Sequence, residues 1–279
     1  MNKFITFALT VSLGASGASI LADNIFLTTA DSEASATTSF NSANGWANGA
    51  APSAGNSYTV ALAEDSGMFL PTVAATFAGD SLQIGTDDVA GFLSSSTFAS
   101  WTIPSLILKK GLWRIPTTGN MSKIASITVE STSDDPFVIK LGNNLRTTTG
   151  VFYGSEDSVV CFARDNSVTT LSDLAPNFDK YPGKIILDGV KFGSLGIQIR
   201  SMFGAASGFA ADRIVLKNGA GLGQTGYNNK SYNNAKLGVT VDSTGGSLFK
   251  CDHASPTIYF PIVGGPLTVV DSAWIFANR

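Results

Sequence analysis

The sequence predicts an all-β chain folded as a right-handed parallel β-helix, a solenoid of roughly seven to eight coils. Three observations lead there. Charged residues make up only 14% of the 279 residues, and 29 glycines with abundant Ser, Thr and Asn take their place. That composition suits short strands and tight turns and suits helices poorly. One short strand pattern also keeps returning along the chain, at intervals too uneven for a strict repeat but too regular for chance. Further strand-like pieces lie inside those intervals.

The first element is an export signal. Residues 1–22 read "MNKFITFALTVSLGASGASILA", with Lys3 before an apolar stretch from Phe4 to Leu13 and small residues after it. Cleavage is expected after Ala18 or Ala22. The apolar run is too short for a membrane span, so it reads as a secretory signal peptide. No later run reaches the ~18 apolar residues a transmembrane helix needs. The mature chain is expected to be secreted or held at the cell surface, with no transmembrane segment.

Residues 23–80 form the second element, a cap closing the first coil. A solenoid whose first coil stays open leaves its apolar ladder in water. The stretch "FNSANGWANGAAPSAGNSYTV" supplies turns at Asn44–Gly45 and Asn48–Gly49, then at Pro52 and Gly55, and then a strand. Trp46 inside this polar run reads as a plug against the end of the core, its indole N–H free to find a partner. The competing reading is an aromatic platform for a sugar.

Residues 81–279 are the coils. The recurring strand appears as "SLQIG", "SLILKKG", "SITVEST", "SVVCFAR", "KIILDGV", "RIVLKNG", "GVTVDST" and "PLTVVDS". Its expected inward pairs are Leu82/Ile84, Leu106/Leu108, Ile127/Val129, Val159/Cys161, Ile185/Leu187, Ile214/Leu216, Val239/Val241 and Leu267/Val269. Each pair lies two residues apart, hence on one face of a strand. The returns average roughly 26 residues, with intervals from 21 to 32. Loops of variable length in a solenoid account for that spread. An antiparallel β-sandwich or jelly roll is the alternative, since it also shows many short strands. If the coil count holds, Cys161 and Cys251 stand three coils apart, about 14 Å at the usual strand spacing. A disulfide needs Cα atoms within about 7 Å, so two free, mostly buried thiols are expected.

The stretch from residue 38 to 85 resembles the opening unit of bacterial autotransporter-associated β-helix repeat proteins. The residues that carry the resemblance are Trp46, Gly49, Pro52, Phe77, Gly79, Ser81 and Leu82. The resemblance implies a large exported or surface protein with a β-helical passenger, and it brings no catalytic residues. Such proteins often continue into a translocator barrel or a sorting tail. This sequence stops at "DSAWIFANR", so a fragment or a short stand-alone version is expected.

Little in the sequence points to covalent chemistry. His253 is the one histidine, and its neighbours Cys251 and Asp252 cannot easily converge with it on a metal from one strand. The acidic pairs Glu64–Asp65, Asp87–Asp88, Asp134–Asp135 and Glu156–Asp157 all fall where turns are expected, as caps and solubility devices. The formal net charge of −3 gives no basis for nucleic-acid binding. No cofactor is expected. One loop, "GYNNKSYNNAK", repeats Tyr-Asn-Asn: Tyr227, Asn228 and Asn229, then Tyr232, Asn233 and Asn234. Two tyrosines with flanking amides can stack on and hydrogen-bond to a sugar; a plain polar insertion is the bland reading. The expected function is a surface scaffold or adhesin-like module without catalysis, whose partner is an extracellular glycan or another surface protein. The alternative is a carbohydrate-active β-helix enzyme, a polysaccharide lyase or glycosidase, or a glycan-binding module.

Overall fold

The computed structural model describes residues 23–62, 66–95, 99, 101–115, 124–142, 147–164, 174–195, 214–218, 220–225, 231–232, 239–241, 246–249, 257–258, 262–264, 267–269 and 275–276. Among these residues every regular element is a strand. In chain order they are β1 (Asn24–Phe26), β2 (Ser57–Val60), β3 (Met68–Phe69), β4 (Ala75–Thr76), β5 (Ser81–Ile84), β6 (Gly91–Ser94), β7 (Trp101–Leu108) and β8 (Gly111–Ile115). Then come β9 (Ile124–Val129), β10 (Phe137–Leu141), β11 (Thr147–Gly154), β12 (Val159–Arg164), β13 (Leu174–Lys180), β14 (Lys184–Asp188), β15 (Lys191–Leu195) and β16 (Ile214–Lys217). The last are β17 (Gly221–Thr225), β18 (Ser231–Tyr232), β19 (Val239–Val241), β20 (Gly246–Phe249), β21 (Thr257–Ile258), β22 (Ile262–Gly264), β23 (Leu267–Val269) and β24 (Ile275–Phe276).

The chain is a β-solenoid. The first sheet has the order β1-β2-β5-β7-β9-β11-β13, with β4 beside β7. The second, with 9 strands, has the order β22-β19-β16-β14-β12-β10-β8-β6-β3. Two smaller sheets, β15-β17-β20-β23 and β18-β21-β24, take over farther along the chain. The strand pairings are parallel, and the antiparallel contact among the described residues is an isolated bridge, Leu27 to Trp46. Neighbouring parallel strands from successive passes are what a sandwich or jelly roll lacks.

Stacking follows from the apolar pairs. In the first sheet Ile25, Tyr58, Leu82, Leu106, Ile127 and Phe152 are successive register partners. Val60, Ile84, Leu108 and Val129 make the adjacent column. In the second sheet the column runs Met68, Leu93, Trp113, Ile139, Phe162, Leu187 and Leu216. All of these residues are buried. One pass of the chain cannot cover its own inward face, so each rung is stabilised by the next.

Two details differ from the sequence expectation. The returning strands do not form one column. Those at 82, 106 and 127 belong to the first sheet, and those at 159, 185, 214 and 239 to the second. The strand at 267 lies in the third. The 32-residue interval from 127 to 159 therefore crosses from one sheet to another. Within the first sheet the steps are tighter: 24 from Leu82 to Leu106, 21 to Ile127 and 25 to Phe152. The second difference is the phase of β12. Val160 and Phe162 point into the core, while Val159 and Cys161 lie on the other side, paired with Lys184 and Ile186.

The N-terminal end is closed by side chains. Trp46 is buried, with its ring edge-on to Tyr58 at 4.8 Å, and Tyr58 meets Phe77 at 5.5 Å. The Trp46 indole Nε1–H donates to the Ser39 carbonyl at 2.6 Å. The expected turns are present, with Gly45, Gly49 and Gly55 at φ of 75°, 63° and 85°. Ala47 N–H donates to the Phe26 carbonyl at 2.9 Å, so the segment around Trp46 runs along the edge of β1. Asp31 ties this segment to the second sheet. Its Oδ1 accepts from the Ser39 N–H at 2.9 Å and hydroxyl at 2.7 Å, and its Oδ2 accepts from the Phe69 N–H at 3.0 Å.

Candidate functional site

With the inside filled, chemistry is left to three lateral surfaces. The first is the outer face of the first sheet. Strands β1, β2, β5, β7, β9 and β11 contain no charged residue, whereas β13, the last in the order, contains Asp179 and Lys180. Their outward positions are mostly hydroxyls and amides: Ser57 pairs with Ser81, Ser105 with Ser126, and Thr59 with Gln83. Some bond along the stack, as Ser81 Oγ does to Ser57 Oγ at 2.9 Å and Thr59 Oγ1 to Asn24 Oδ1 at 2.9 Å. Exposed rings are Phe26 on β1 at 42% exposure and Tyr153 on β11 at 40%, the latter with Lys180 of β13 as its register partner.

The second surface is the edge where the chain turns from the first sheet to the second. Here Thr86, Asp87, Lys109, Lys110, Glu130 and Asp135 border a cleft of about 130 Å³. Lys109 Nζ bridges two rungs, 3.1 Å from Asp87 Oδ2 and 3.8 Å from Glu130 Oε2. Lys110 Nζ lies 3.0 Å from Asp135 Oδ2. The rungs approach closely because Gly85, at φ 79°, turns directly beneath Lys110, where a Cβ would strike the Lys110 carbonyl oxygen. Lys109 is thus held between carboxylates of the two neighbouring rungs, and Lys110 is paired with one. Pairs this exposed contribute little to stability.

The third surface is the outer face of the second sheet. One outward column is apolar: Phe92, Leu112, Val138, Cys161, Ile186 and Val215 are successive partners. Beside it runs a polar column of Arg114, Lys140, Ala163, Asp188 and Lys217. The strands of this sheet carry five cations (Arg114, Lys140, Arg164, Lys184 and Lys217) against one carboxylate, Asp188. Cys161 is a free, buried thiol, as expected. Burial, with Asp188 nearby, pushes its pKa up to about 12 against the opposing pull of Lys217, so it is a poor nucleophile at neutral pH.

Of the residues singled out in the sequence, Tyr232 ends β18, where its register partner is Ile258. Tyr227, Asn228, Asn229, Asn233 and Asn234 lie outside the described residues, as do Glu64, Asp65, Cys251, Asp252 and His253. Asp87–Asp88, Asp134–Asp135 and Glu156–Asp157 lie in turns or bends. Among the described residues no group of three or more His, Cys, Asp or Glu side chains could hold a metal, and no helix is long and apolar enough to cross a membrane. Sequence reasoning missed Asp31 and the outward stripe of the second sheet. Only the stripe left a signal, as Ile186 and Val215 filling the positions between inward residues.

Comparison with known families, curated proteins and solved structures yields no match.

Proposed function

We propose that the chain is an exported surface scaffold, an adhesin-like β-helical passenger module of the autotransporter-associated kind, without intrinsic catalysis. On this reading residues 1–22 are the signal peptide, 23–80 the cap, and 81–279 a right-handed helix of seven to eight coils. The mature chain is secreted or held at the cell surface, and it binds an extracellular glycan or another surface protein through its lateral faces, with no cofactor. The observation that supports this reading is the hydroxyl-rich outer face of the first sheet, whose first six strands in order, β1, β2, β5, β7, β9 and β11, carry no charge and expose the rings of Phe26 and Tyr153; charge enters only at β13, with Asp179 and Lys180. A regular, uncharged, hydroxyl-rich face offers many weak hydrogen bonds and no general acid or base. The Tyr-Asn-Asn repeat, from Tyr227 to Asn234, adds a second contact for sugars.

Fractionation tests the reading directly. The full chain, expressed with a C-terminal tag, is expected outside the inner membrane with residues 1–22 removed. Recovery of the uncleaved chain in the cytoplasm would refute it.

A second reading, a polysaccharide-cleaving enzyme, draws on the three carboxylates Asp87, Glu130 and Asp135 around the edge cleft. Against it stands their pairing with Lys109 and Lys110. Glycosidases need one carboxyl as acid and another as base or nucleophile. Incubation with neutral and acidic polysaccharides is expected to release no new reducing ends or unsaturated sugars.

A further inference from the structure

We propose that the outer face of the second sheet is a docking surface for a linear polyanionic glycan lying along the solenoid axis. The inference rests on reading the chain as a surface module and names the face and the ligand class.

Charge separation is the starting point. The chain carries a net charge of −3, yet the strands of this one sheet hold five cations and a single carboxylate; four of the cations, Arg114, Lys140, Lys184 and Lys217, stand at outward positions, while Arg164 at the end of β12 partners core Leu141. Acids gather instead in the turns, at Asp88, Asp134 and Glu156 among others. A polyanion is therefore repelled by the edges and drawn to this face, which also orients it. None of the ion pairs found among the described residues involves Lys140, Lys184 or Lys217.

Spacing is the next point. Arg114 and Lys140 are direct register partners on adjacent rungs, and Lys217 continues their column beyond Ala163 and Asp188. Rungs repeat at ~4.8 Å, close to the rise of one sugar in an extended chain. Asp188, the one negative position in the column, accepts from Asn218 Nδ2 at 2.6 Å and has Lys217 as its register partner on the next rung. The neighbouring column of Leu112, Val138 and Ile186 is half-buried and apolar. Sugar rings have apolar C–H faces as well as charged substituents, so the two columns match both sides of such a ligand. A neutral glycan would leave the cations unused.

The test uses the full chain and isothermal titration. Polygalacturonate and dextran sulfate are the carboxylate and sulfate probes; dextran is the neutral control, and phosphatidylglycerol vesicles are the lipid control. At least one polyanionic glycan should bind, and its affinity should fall about tenfold or more from about 50 mM to about 500 mM salt. The double variant Lys140→Glu/Lys217→Glu should weaken binding at least tenfold, and Lys140→Gln/Lys217→Gln severalfold. Lys110→Glu/Lys180→Glu, with the same change in net charge, should retain it. Melting curves verify that each variant is folded. The proposal is overturned if neither polyanion binds, if dextran binds as well, or if the vesicles bind and the glycans do not. Equal losses in the two Glu pairs would also overturn it. A chain that binds the polyanion but stays in the cytoplasm would sink the export reading and leave this one standing.

Discussion

The first and second sheets share one core, and their inward columns are alike: Leu82, Leu106 and Ile127 on one side, Ile139, Leu187 and Leu216 on the other. Their outward columns have almost nothing in common. One is mostly Ser, Thr and Gln, uncharged until β13, and the other is an aliphatic stripe beside Arg114, Lys140 and Lys217. Alternation explains how both coexist. Inward residues set the register of each rung, and every second residue is released to carry whatever chemistry the surface needs. Stability belongs to one half of each strand, and the other half is free to vary its surface chemistry.

That division is broken most severely from the inside. Phe162 sits in the aromatic cluster that joins the sheets, 6.1 Å from Phe152 and 5.9 Å from Phe178. Phe162→Ala should cost about 3–5 kcal/mol of unfolding free energy, whereas the adjacent Cys161→Ala should cost under about 1 kcal/mol. Urea titration of the two variants checks the phase of β12, and reversed costs would show it to be wrong. At the capped end, Asp31→Ala should cost about 2 kcal/mol by stranding the Ser39 and Phe69 donors. Asp31→Asn should recover less than half of that, because its amide turns a donor toward one of those N–H groups.

A pH-dependent effect separates the buried thiol from its exposed surroundings. The Cys161 pKa is raised from 9.0 to about 12, chiefly by burial. Above pH 9 the unfolded chain loses this proton before the folded one does, so the thiol's contribution is intact at neutral pH and is lost as pH rises from 9 to 12. The difference between wild type and Cys161→Ala, followed by thermal melts over that range, should show this loss. Smallest of all, Ser105→Ala and Ser126→Ala on the first sheet's outer face should each change stability by no more than about 0.5 kcal/mol, measured in the same urea titrations.

Much of this was legible in the sequence. Strict alternation exposed the inward pairs Leu82/Ile84, Leu106/Leu108, Ile127/Val129, Ile185/Leu187 and Ile214/Leu216, and a Trp in a polar run marked the closed end. Alternation fails at "VVCFA", where five consecutive residues tolerate burial and either phase satisfies the pattern; only the partners Ile139 and Leu187 decide it. Assignment to sheets was hidden because strands of both sheets carry the same pattern. Asp31 reaches Phe69 across 38 residues, and no local pattern marks such a contact. The edge cleft was half visible: turn acids were expected, but their lysine partners come from neighbouring rungs and appear only when the chain is stacked.

The central claim is that successive passes of the chain lie parallel and in register. Ser57 and Ser81 test it, being register partners on adjacent strands with their hydroxyls 2.9 Å apart. In the doubly substituted chain Ser57→Cys/Ser81→Cys, mild oxidation should form a disulfide between these two positions, identified by peptide mass mapping. A chain in which both introduced thiols stay free, or bond elsewhere, would contradict the stacked arrangement.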